Sequence, residues 1–115
     1  MGPLATTMKL AGVRRRLTQL VANSGGYNGT VLINLGRHGA LLVDHDQVCV
    51  SKGHEAIKAS LNLELPDLDQ FLGGELTAQM LMMTRRLTIS GRMGDALRFA
   101  RHLEMAIHGR SALPA

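Results

Sequence analysis

The chain has 115 residues, 45% hydrophobic and 19% charged, with 13 Lys and Arg against 9 Asp and Glu for a net charge of +4. That mix is enough for one folded core and excludes intrinsic disorder. The lone cysteine, Cys49, excludes a disulfide framework and any multi-cysteine zinc site. No apolar run approaches the ~20 residues of a membrane span, and the N-terminus lacks the long apolar segment of a secretory signal. A single cytoplasmic domain over residues 1–115, with its core at about 4–109, is therefore expected.

Residues 4–22 read as a helix. Leu10, Val13, Leu17, Leu20 and Val21 fall on one face, with Arg14, Arg15 and Arg16 on its flank. Asn23-Ser24-Gly25-Gly26 stops it. Short strands follow at 29–35, 40–45 and 47–51, joined by turns at Gly36-Arg37-His38-Gly39 and Asp44-His45-Asp46. Residues 58–64 alternate, with Ala59, Leu61 and Leu63 on one side and Lys58, Ser60, Asn62 and Glu64 on the other. These four strands are expected to run as a meander with one apolar face.

Pro66 opens a short helix whose inner face is Leu68, Phe71 and Leu72, and Gly73-Gly74 ends it. A second helix carries Leu76, Met80 and Met83 at i, i+4, i+7. The strand at 86–90 points Leu87 and Ile89 inward and breaks at Gly91. The last helix, 93–108, buries Ala96, Phe99, Ala100, Leu103 and Ile107, with Gly109 as its cap and 111–115 as a loose tail. The fold class is α+β: a five-stranded, mostly antiparallel sheet with helices packed on one face.

No catalytic constellation stands out. The histidines at 38, 45, 54, 102 and 108 include no pair with metalloprotease spacing, so neither a metal nor a cofactor is expected. Asp44-His45 lacks a nucleophile elbow and reads as surface. Cys49, between Val48 and Val50, reads as a buried or half-buried packing residue with only Lys52 near enough to activate it. Gly91-Arg92-Met93-Gly94 reads as a tight strand-to-helix turn. With two Phe, one Tyr and no Trp, platforms for stacking nucleic-acid bases are scarce. The arginines at 14–16, 85–86 and 92 offer contact with an anionic head group or an anionic membrane surface. Met80, Met82, Met83 and Met93 crowd one segment, and methionine is over-used where apolar surfaces must adapt. A core rich in Leu, Ile, Val and Met, with few rings, is able to enclose a flexible apolar guest.

The segments GTVLINLG, GALLVDHDQVCVSKG, KASLNLEL, PDLDQFLGG, ELTAQMLMM, RRLTISG and RMGDALRFA stand in the order of the sterol carrier protein two domains. The strongest match is Leu87, Ile89, Gly91, Met93, Gly94, Ala96 and Leu97. The chain thus resembles that nonspecific lipid-binding family, in a small bacterial-type form. The resemblance implies an apolar tunnel between sheet and helices, lined by Phe71, Leu72, Leu76, Met80, Met83, Leu87, Ile89, Met93 and Leu97. It implies non-enzymatic carriage of a fatty acid, acyl-coenzyme A, sterol, or isoprenoid or quinone intermediate, since some bacterial relatives assist quinone biosynthesis. Thr84-Arg85 stands where the family often has Gly, and Arg92 where it often has Asp, which makes the tunnel mouth more basic. The alternative reading is a solid-core interaction module or accessory subunit, as a monomer or a homodimer, serving a lipid- or quinone-biosynthesis enzyme.

Overall fold

In the computed structural model, residues 3–25, 27, 29–51 and 59–112 are described. Gly26, Lys52, His54, Lys58 and residues 113–115, on which the sequence reading also drew, lie outside them.

Helix α1 spans Pro3–Asn23. Val13, Leu17 and Val21 lie one or two turns apart and are fully buried, with Leu10 and Leu20 half-buried beside them. Gly25 follows at φ 86, the left-handed conformation that glycine adopts freely. Strands β1 (Thr30–Asn34), β2 (Ala40–Asp44) and β3 (Gln47–Val50) form two antiparallel hairpins. A single 3-10 turn at Gly36–His38 joins the first pair. Val31, Ile33, Leu41, Val43 and Val48 alternate onto one face and are buried.

Strand β4 (Ala59–Asn62) pairs parallel to β1, with Ile33 opposite Leu61, on the edge of β1 away from β2. The expected four-strand meander is thereby corrected to the order β3-β2-β1-β4-β5. Alternation assigns Ala59 and Leu61 to a face, but either free edge of the hairpins satisfies it. Strand β5 (Thr88–Gly91) closes the sheet antiparallel to β4, with Leu61 opposite Ile89.

Helix α2 (Leu65–Leu72) has Pro66 in its first turn and buries Leu65, Leu68, Phe71 and Leu72. Beyond the C-cap of α2 at Gly73, Gly74 has φ 82, a conformation that favours glycine, and a Cβ there would press on Ile107 Cγ2 at 3.3 Å. Helix α3 (Ala78–Met83) follows, and α4 (Met93–Ala112) completes the chain. Ala96, Phe99, Ala100 and Leu103 are buried on α4, and Ile107 is half-buried against the core. The Tyr27 ring packs edge-on to Phe99 at 4.9 Å, and its hydroxyl donates to the Asp95 carbonyl at 3.1 Å. Burial raises the Tyr27 pKa above its ordinary 10.0, opposed by the Arg98 guanidinium and reinforced by Asp95.

Three local expectations are corrected. Gly109 does not cap α4, which runs on to Ala112; a helix-interior glycine costs only about 1 kcal/mol. Cys49 is exposed, because alternation turns Val48 inward and Cys49 to the opposite face. On α3 the inward residues are Ala78 and Leu81, while Met80 and Met83 are exposed. The Thr77 hydroxyl caps the helix by accepting from the Met80 N–H at 3.1 Å, so Leu76 precedes the helix and the inferred stripe loses its phase.

Candidate functional site

The surface between α3 and α4 holds an apolar groove of about 360 Å³. Ala78, Gln79, Met82 and Met83 come from α3, and Leu97, Ala100, Arg101 and Glu104 from α4. A polar contact ties the two helices: Glu104 Oε2 accepts from the Ala78 N–H at 3.1 Å. That amide belongs to the first turn of α3, where backbone N–H groups have no partner within the helix and the helix dipole favours negative charge.

Beneath the groove lies an apolar seam between the helices and the sheet, walled by Ile33, Leu61, Leu63, Leu68, Phe71, Leu81, Leu87 and Leu103. Ala78 and Ala100 border both spaces. The seam itself is closed, with a void of about 10 Å³. That is barely the volume of one water, and apolar walls give a water no partners. Among the described residues the seam thus shows no open tunnel. Aliphatic side chains with nothing polar to hold them apart close to interior packing density.

The nine side chains expected to line a tunnel stand in three places. Phe71 and Leu87 wall the closed seam, with Leu72 buried on α2 and Leu76 and Ile89 half-buried against the core. Met83 and Leu97 line the outer groove, 75% and 36% exposed. Met80 and Met93, 49% and 54% exposed, belong to neither space. The soft methionine face thus points outward.

The arginines are dispersed. Arg14 and Arg15 are exposed on α1. Arg16 lies 3.5 Å from Asp69 on α2, an exposed pair of small energetic weight. Arg92 lies 4.0 Å from Asp95 at the start of α4. Arg85 and Arg86 border a polar cleft of about 460 Å³ at the end of the sheet. The exposed Asp44 accepts from Thr30 Oγ1 at 3.2 Å and lies 2.8 Å from His45 Nδ1. These hydrogen bonds, His45 first, hold its carboxyl below the ordinary carboxylate range. Among the described residues no group of acidic, histidine or cysteine side chains is arranged to hold a metal, and no helix is long and apolar enough to cross a membrane.

Sequence reasoning missed Ala78 and Glu104. Alanine carries no apolar signal strong enough to mark a floor. Glu104 carried no local signal either: it stands mid-helix, more than a turn from either end of α4, where the helix dipole is indifferent to its charge.

No sequence among curated proteins matches the chain. Sterol carrier protein 2 like 2 from Aedes aegypti superposes with a TM-score of 0.66 at 16% identity, covering 84% of this chain and 97% of that one. A protein described as UbiJ-SCP2 ubiquinone synthesis protein superposes with a TM-score of 0.61 at 15% identity, covering 90% and 99%. A palmitated sterol carrier protein 2 like 2 from Aedes aegypti gives 0.59 at 15% identity, covering 76% and 90%. At such identities the likeness establishes the fold. The SCP-2 sterol transfer family matches residues 6–104, nearly the whole chain, and the protein belongs to that family.

Proposed function

We propose that the protein is a single cytoplasmic, non-enzymatic domain that binds and carries a hydrophobic chain, admitted between α3 and α4. The observation that carries this reading is that groove and seam are separated by two alanines, Ala78 and Ala100. A displacement of the six-residue α3 joins them into one apolar channel. Burial of a chain there contributes about 0.8 kcal/mol per methylene, so a long acyl or isoprenoid tail suffices for micromolar binding. The palmitated relative supports a fatty acyl ligand, and the ubiquinone synthesis protein supports an isoprenoid or quinone intermediate and a biosynthetic enzyme as partner. Exposed Arg14 and Arg15, with Arg92, support peripheral contact with anionic lipid.

Native mass spectrometry of the protein as purified, followed by organic extraction, tests the reading. A co-purifying lipid mass, or uptake of added fatty acid or isoprenoid, is the expected result. The closed seam favours a second reading, a solid-core interaction module acting as an accessory subunit. A clean apo mass with no uptake would select it.

A further inference from the structure

The closed seam borders a second space. Leu63 lines both the seam and the polar cleft of about 460 Å³. That cleft sits where β1 and β4 end and β5 begins, at Asn34, Asn62 and Thr88, and it shares no residue with the α3–α4 groove. Arg85 reaches it from an unusual backbone. Arg86 N–H donates to the Leu81 carbonyl at 2.8 Å and Arg85 N–H to the Met82 carbonyl at 3.1 Å. This is the hydrogen-bond pattern that ends helices with a left-handed residue, usually glycine. Arg85 occupies that position at φ 61. A long cationic side chain is thus kept where glycine is favoured, and strain of this kind concentrates at ligand clamps.

The charges around it are unevenly matched. Arg86 lies 3.8 Å from Asp67, whereas Arg85 has no ion-pair partner among the described residues. The N-terminus of α2, at Glu64 and Asp67, borders the same cleft and adds its partial positive charge. Exposed Glu64 is the one opposing charge left unmatched.

We propose that this cleft holds the anionic head, a carboxylate or phosphate, of an amphiphile whose chain lies in the seam past Leu63, with Arg85 as the recognising group. The inference rests on the carrier reading and deepens it: the ligand is an anionic amphiphile bound in one orientation, its head at the sheet end and its tail toward α3 and α4.

Titration calorimetry of the full chain with dodecyl phosphate, dodecanol and inorganic phosphate tests it. The wild type is expected to bind dodecyl phosphate at least about tenfold more tightly than dodecanol, the scale of one charge-assisted hydrogen bond. Arg85→Gly is expected to erase that preference, leave dodecanol binding unchanged and raise the melting temperature. The rise separates a lost guanidinium from a lost fold, and Arg85→Ala checks the binding with the left-handed residue retained. Glu64→Gln is expected to strengthen dodecyl phosphate binding; weakening counts against an anion site. Equal affinity for both alkyl probes in the wild type, or a preference surviving Arg85→Gly, overturns the head-group site while the carrier reading stands. Inorganic phosphate bound as tightly as dodecyl phosphate, with no dodecanol binding, overturns it in favour of a free-anion site. No binding of either alkyl probe overturns both.

Discussion

Glu104→Ala is expected to loosen α3 selectively. The Glu104 carboxylate accepts from the Ala78 N–H at 3.1 Å, and Thr77 Oγ1 accepts from the Met80 N–H at 3.1 Å. These are two of the first-turn donors that lack partners within the helix. A six-residue helix is far below the ~12–15 residues at which isolated helices become even marginal, so α3 depends on such outside contacts. A hydrogen bond to a charged group contributes about 1.5–3 kcal/mol, and favourable charge at a helix N-terminus about 0.3–1 kcal/mol. Water in the open groove takes over part of the vacated bond, which leaves a loss of about 1–2 kcal/mol. For a chain of this size that lowers the melting temperature by about 4–10 °C. The same energy speeds hydrogen exchange at the first amides of α3 by about 5–30-fold, as local opening. Glu104→Gln retains an acceptor and is expected to lose about half as much. Thermal melting together with hydrogen exchange resolved to α3 checks both. Wild-type exchange across α3 in Glu104→Ala would refute the idea that this carboxylate clasps the helix over the seam.

Met83→Glu places a charge in the apolar groove at a residue 75% exposed, so stability is expected to change by no more than about 0.5 kcal/mol. Uptake of a fluorescent fatty acid should fall severalfold, and unchanged uptake counts against the groove as the point of admission. Phe99→Ala removes a fully buried ring and its edge contact with Tyr27, at an expected cost of about 3–5 kcal/mol by urea unfolding. Tyr27, raised by burial, sets an alkaline limit. Its contribution is fully present below pH 10 and is lost as pH rises through the raised folded value, because the unfolded chain releases the proton first. Tyr27→Phe should melt at a lower temperature at pH 8 but show a flatter decline above pH 10; parallel declines would disprove the assignment.

Periodicity alone determined where most elements lie and which way they face. Val13, Leu17 and Val21 on α1, Ala96, Phe99, Ala100 and Leu103 on α4, and Val31, Ile33, Leu41 and Val43 in the sheet are buried as their spacing requires. A backbone with 3.6 or two residues per repeat turns such a pattern into a face without reference to the rest of the chain. The order of these elements also carried the family resemblance.

Tertiary structure decided what periodicity leaves open. Alternation in Ala59 and Leu61 names a face but not a neighbour, and only the free edge of β1 made β4 its parallel partner. The phase of α3 depended on the Thr77 cap, which turned Ala78 and Leu81 inward and Met80 and Met83 out. The two walls of the groove are tied by Glu104, 26 residues along the chain, which accepts from the Ala78 amide. Contacts between segments distant in sequence have no local signature, since each partner alone reads as an ordinary helical alanine or glutamate. The left-handed backbone of Arg85 is of the same kind: Thr84-Arg85 marks only a departure from glycine, and it took the folded turn to bring that residue to the edge of the cleft.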